Sequence, residues 1–84
     1  MYWDVVDAKV VRHLELTVTF ADGLRGTVRF LPSHLGGVFR PLKDESFFRQ
    51  IDFKGGFVSW AGEIDLAPDA MYEAIKQNGE WVLS

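Results

Sequence analysis

The sequence predicts an α+β domain: an antiparallel sheet made of a β-meander plus a second β-hairpin, with short helices between them and one C-terminal helix. Three observations carry that expectation. Apolar residues alternate from Leu14 to Phe30, a second alternation flanks Gly55-Gly56, and the stretch from Pro68 to Gly79 carries apolar residues at helical spacing between a helix-starting proline and a helix-ending glycine.

The first hairpin fixes its own register. Leu14, Leu16, Val18 and Phe20 share a face, as do Leu24, Val28 and Phe30, with Gly26 the one gap. Residues directly opposite in an antiparallel pair point to the same face, so they must agree in polarity. A two-residue Asp22-Gly23 turn sets Phe20 against Arg25 and fails that test. A three-residue loop, Ala21-Asp22-Gly23, sets Phe20 against Leu24, Val18 against Gly26, Leu16 against Val28 and Leu14 against Phe30. Gly23 then stands where such loops need positive φ. On the other face Glu15 meets Arg29 as an ion pair, Thr17 meets Thr27, and Thr19 meets Arg25.

The remaining elements follow in order. Trp3 to Val11 is β-branched and aromatic enough for a preceding strand, joined to the hairpin at Arg12-His13, although its register is not readable. Leu31 to Gly37 reads as a short helical turn stopped by glycine, and Val38 to Leu42 as a connector. Asp44 N-caps a short helix through Gln50 that buries Phe47 or Phe48. A two-residue Gly55-Gly56 turn pairs Phe53 with Val58, Asp52 with Ser59 and Ile51 with Trp60. After the Ala61-Gly62 break, Pro68 takes the first helical position with Asp69 beside the positive helix end, Met71, Ala74 and Ile75 form the apolar stripe, and Asn78-Gly79 ends the helix. Glu80 to Leu83 is a terminal strand for an open sheet edge, in this chain or another copy.

Composition bounds the function. Eighty-four residues without a linker or repeat make one domain, 1–84. The absence of cysteine removes disulfides, thiolate metal sites and cysteine nucleophiles. No leader-like segment opens the chain and no run approaches the roughly 18 apolar residues of a membrane span, so a cytoplasmic protein without a membrane partner is expected. Nine basic against 12 acidic residues disfavour nonspecific binding to a phosphate backbone.

Each candidate site has a plainer reading. His13 and His34 fall in no metal-ligand spacing, and Ser33 beside His34 is not a triad, because adjacency in sequence does not place a hydroxyl on an imidazole. Glu63, Asp65 and Asp69 match no calcium loop and suit a solvated helix entrance. Gly36-Gly37 and Gly55-Gly56 lack the spacing and following lysine of nucleotide loops. No catalytic, cofactor or metal residue is therefore assigned. The residues left are those of an interaction surface: Arg25 and Arg29, with Thr17, Thr19 and Thr27, on the polar sheet face, and Trp3, Phe57 and Trp81, with Tyr2, outside the best-patterned core.

Trp3-Asp4-Val5, Leu16 to Gly23, Gly37 to Leu42, Phe47-Phe48, Val58-Ser59-Trp60 and Asp65 to Glu73 together give the chain a family likeness. It resembles the bacterial domain-of-unknown-function 2442 family from Trp3 to Glu73. The resemblance implies an α+β domain, found alone or ahead of a helix-turn-helix module and often encoded beside another small protein in a toxin-antitoxin-like arrangement, and it brings no catalytic residues. Two positions depart from the family pattern: Ala61 stands where proline commonly follows the tryptophan, and Phe30 where an acidic residue is common. Nine residues after Ile75 are too few for a helix-turn-helix, so a stand-alone form is expected.

The functional expectation is a non-enzymatic protein–protein interaction module, a regulatory or antitoxin-like partner of a small neighbouring protein, with self-association as another partner class. The alternative is a nucleic-acid-binding regulator acting through the Arg25/Arg29 face. An enzyme is the reading with least behind it, and no cofactor is implied.

Overall fold

A computed structural model describes all residues, Met1–Ser84. The chain runs β1 (Val5–Arg12), β2 (Glu15–Phe20), β3 (Arg25–Phe30), two 3-10 segments (Pro32–His34 and Gly37–Lys43), α1 (Glu45–Phe48), β4 (Ser59–Trp60), β5 (Ile64–Asp65), α2 (Pro68–Asn78) and β6 (Glu80–Leu83). The main sheet has the order β1-β2-β3-β6, and β4 and β5 form a separate two-stranded hairpin. The α+β class holds, as do the meander and the C-terminal helix.

The first hairpin has the register that parity requires: Leu16 opposite Val28, Thr17 opposite Thr27, Val18 opposite Gly26 and Thr19 opposite Arg25. The Phe20 N–H donates to the Leu24 carbonyl at 2.8 Å, and Gly23 adopts φ +94°. Gly26, the gap in the apolar pattern, lies under α2. A Cβ there would collide with Ile75 Cγ2 and sit 2.8 Å from the Gly79 carbonyl oxygen, so the Ile75 side chain fills the space that a side chain on β3 would take.

β1 pairs antiparallel with β2 through two irregularities, one between Val5 and Asp7 and one between Val10 and Arg12. These bulges are why its register was not readable, since each breaks the alternation from which parity is counted. The main sheet is mixed, not purely antiparallel. β6 lies parallel to β3, with Val28 opposite Trp81 and Phe30 opposite Leu83, because the chain returns to the sheet edge through the α2 crossover. The terminal strand thus pairs within its own chain.

Three local expectations are corrected. The Gly55-Gly56 hairpin shrinks to one bridge, Asp52 with Ser59, in the predicted register but without the Phe53–Val58 and Ile51–Trp60 pairs. Here Asp52 accepts from the Lys54 N–H, Gly56 donates to the Phe53 carbonyl, and the Gly56 carbonyl is taken by the Val5 N–H at 2.8 Å. The loop is thereby tied to β1 instead of closing as a tight turn. The paired second hairpin is β4–β5, with Ser59 opposite Asp65 and Trp60 opposite Ile64 around the exposed Ala61, Gly62 and Glu63. The expected connector Val38–Leu42 is a 3-10 run that buries Leu42, and α1 stops at Phe48 instead of Gln50. Asp44 caps α1 as expected, accepting from the Phe47 N–H at 3.2 Å, and Phe48 is the phenylalanine that is buried.

One apolar core joins the inner sheet face, through Leu16, Val18, Phe20, Val28 and Phe30, to Met71, Tyr72 and Ile75 of α2 and to Leu42, Phe48 and Trp60 of the connecting segments. Phe30 is central to its aromatic part, with ring centroids 6.0 Å from Phe48 and 6.1 Å from both Trp60 and Phe39. An acidic side chain at that position would lose this packing. The Trp60 indole N–H donates to the Phe48 carbonyl at 2.8 Å, so the largest core ring has its polar atom satisfied.

Candidate interaction surface

α2 and the connecting segments cover one face of the main sheet, and the other face is laid out by the strand register in three rows. Asp7, Thr19 and Arg25 form the first; Lys9, Thr17, Thr27 and Glu80 the second; Arg12, Glu15, Arg29 and Val82 the third. Threonines occupy the middle of the first two rows and longer charged side chains their ends. The result is a shallow concavity of about 410 Å³, floored by Thr17, Thr19 and Thr27 and flanked by Asp7, Lys9 and Arg25.

The charges on this face are partly self-compensated. Glu15 and Arg29 are cross-strand neighbours, as parity requires, but the expected ion pair between them is replaced by two others. Arg12 Nη1 lies 2.9 Å from Glu15 Oε1, and Arg29 Nη2 lies 3.0 Å from Glu80 Oε1. The placement of β6 beside β3, which sequence parity does not reveal, supplies the second acceptor. Lys9, Arg25 and Asp7 have no ion-pair partner within 4.0 Å.

The aromatic candidates lie elsewhere. Trp3 and Trp81 are half-buried and pack against the core; Trp81 is on the inner face opposite Val28. The Trp3 ring stands edge-on to Tyr2 at 4.8 Å, and Tyr2 in turn stands edge-on to Tyr72 at 4.9 Å. Phe57 is half-buried and folds over Gly55, where an added Cβ would lie 2.8 Å from its ring. Arg25 and Arg29 therefore share a face with each other but not with Trp81.

The histidines hold segments together. His13 Nε2–H donates to the Leu42 carbonyl at 2.9 Å, pinning the β1–β2 turn to the 3-10 run, while His34 stacks tilted on Phe39 at 4.8 Å with Nδ1 3.3 Å from the Ser84 carbonyl oxygen. Glu63 is in the β4–β5 loop, Asp65 on β5 and Asp69 in the first turn of α2, and the three do not converge into a group able to hold a metal ion.

One polar contact was missed by sequence reading. The Tyr72 hydroxyl on α2 donates to Asp22 Oδ2 at 2.5 Å, while Asp22 Oδ1 accepts from the Leu24 N–H at 3.0 Å. The Tyr72 hydrogen bond, then the Leu24 N–H, hold the Asp22 carboxyl below its ordinary 3.8. In return the Asp22 hydrogen bond, with burial second, pushes the Tyr72 hydroxyl up to about 12. Position 72 follows Met71 and so falls beside the stripe that spacing identifies. Nothing in the spacing of Asp22 and Tyr72 signals that they meet.

The open face offers hydrogen-bonding hydroxyls and charges of both signs. No curated protein and no solved structure matches the chain. A family model described as "Protein of unknown function (DUF2442)" matches residues 5–77, which takes in β1 through nearly all of α2, and the chain belongs to that family.

Proposed function

We propose that the protein is a non-enzymatic interaction module, a regulatory or antitoxin-like partner of a small protein encoded beside it, and that it engages this partner through the open face of the main sheet. The observation that carries the reading is the row pattern. Arg25, Lys9 and Asp7 ring the threonine-floored concavity without internal ion-pair partners, so their charges remain available to a complementary protein surface.

The same pattern argues for a protein over a nucleic acid. A phosphate backbone is held by several uncompensated cations, whereas Arg12 and Arg29 on this face are already matched by Glu15 and Glu80. Co-expression with the neighbouring gene product tests the reading. The two proteins should co-elute on size exclusion, and Arg25→Glu should weaken the complex at least tenfold; a neighbour that elutes separately from the wild-type protein overturns it. The nucleic-acid alternative through Arg25 and Arg29 rests on Arg25 lacking a carboxylate partner. It requires a mobility shift that weakens steeply with salt and with the double change Arg25→Ala, Arg29→Ala.

A further inference from the structure

The outer edge of β1 ends the main sheet without a neighbouring strand. Its free backbone groups can be located. Phe20 donates to Leu24, so Phe20, Val18 and Leu16 turn their N–H and C=O groups toward β3, and Thr19 and Thr17 turn theirs toward β1. Lys9, opposite Thr17, therefore bonds inward. Ala8 and Val10 point their N–H and C=O groups away from the sheet, and no other backbone group in the chain bonds to them. At its start the edge is closed, because Gly56 accepts from the Val5 N–H.

We propose that this edge pairs antiparallel with β1 of a second copy, with the two-fold axis at Ala8. The register follows from face, charge and hydrogen bonding together. Opposed residues must share a face, so a symmetric pair is centred on Asp7, Ala8, Lys9 or Val10. Centring on Asp7 or Lys9 sets like charges against each other. Centring on Val10 sets Lys9 against Val11 and Asp7 against His13, leaving both charges unmatched.

Centring on Ala8 sets Asp7 of each copy against Lys9 of the other, twice by symmetry. It also makes Ala8 a hydrogen-bonded pair with its own copy. The Asp7–Lys9 pairs are then of the non-hydrogen-bonded kind, in which side chains approach most closely. Both residues lack an ion-pair partner within one chain.

The ladder runs over Asp7, Ala8 and Lys9, within the regular stretch between the two bulges of β1. Its product is an eight-stranded sheet, two copies of the four-stranded one, whose two threonine-floored concavities lie side by side on one face. This inference stands on the strand edge; in the paired state Asp7 and Lys9 satisfy each other, and Arg25 is the ring charge left at the concavity for the partner proposed for the open face.

Sedimentation equilibrium of the full chain tests it, with charge-swapped variants. The wild-type protein should show a concentration-dependent monomer–dimer equilibrium, with concentration-dependent protection of the Ala8 amide from hydrogen exchange. Asp7→Lys and Lys9→Asp should each weaken self-association at least tenfold. A one-to-one mixture of the two should form heterodimers, because both lysines of the first variant then face the two aspartates of the second. Circular dichroism of each variant confirms that it is folded. A wild-type protein that stays monomeric overturns the proposal. So do an unchanged dimer in Asp7→Lys, an unprotected Ala8 amide at high concentration, and folded single variants that do not pair in the mixture.

Discussion

Gly26 shows how one absent side chain sets the distance between helix and sheet. Alternation marks its position as inward-facing, and α2 comes close enough there for Ile75 to occupy the missing volume. Gly26→Ala should cost about 1–3 kcal/mol, the range for overpacking a filled core, read as a lowered denaturation midpoint. Trimming Ile75 to valine in the same chain should recover little of that loss, because valine keeps both Cγ atoms that meet the new methyl group and the Gly79 backbone oxygen blocks it as well.

The Asp22–Tyr72 contact makes stability respond to pH at both ends of the scale. Asp22 has its folded pKa depressed, so its contribution is present above about 3.8 and fades as pH falls below that value toward the folded pKa. Tyr72 has its folded pKa raised, so its contribution is full below about 10 and is lost as pH climbs from there to about 12. Tyr72→Phe should flatten both limbs of a plot of urea midpoint against pH, while leaving the first hairpin's cross-strand pairing intact in amide exchange. Unchanged limbs would mean that the contact contributes nothing to folding.

At the scale of elements, Gly79 does two jobs in one residue. With φ +78° it closes α2, donating to the Ile75 carbonyl at 2.7 Å, and its own carbonyl accepts from Thr27 on β3, so it sets where β6 enters the sheet. Gly79→Ala forces a Cβ into the left-handed region at a cost of about 1–2 kcal/mol, and should lower the thermal midpoint accordingly. Because the same residue aligns β6, amide protection of Arg29 and Leu31 should fall more than that of Thr17. The opposite change is favourable at Glu63, which adopts φ +64° in the exposed β4–β5 loop: Glu63→Gly should raise stability by up to about 1 kcal/mol.

Across the whole molecule, the sheet has one face committed to the core and one left to solvent, and its β1 edge is open beyond the cap at Val5. Self-pairing along that edge makes stability subject to mass action. The thermal midpoint should rise with protein concentration for the wild-type chain and stay flat for Asp7→Lys. A midpoint independent of concentration across a hundredfold range contradicts the paired state.

Parity and capping chemistry make the first hairpin, the Asp44 cap and the limits of α2 readable from the sequence, because each depends on residues close together in the chain. The polar face that holds Arg25 and Arg29 was readable for the same reason, and so was the family. The β1 register was not, since its bulges interrupt alternation. Nor was the Gly55-Gly56 loop, whose carbonyl goes to the strand that opens the chain instead of to its own hairpin. Local polarity specifies which residues share a face, but which strand lies beside which is chosen by the burial of faces distant in the chain. That choice brought β6 parallel to β3, gave Arg29 its carboxylate, carried Tyr72 to the hairpin tip, and left Lys9, Asp7 and Arg25 as the unmatched charges on the open face.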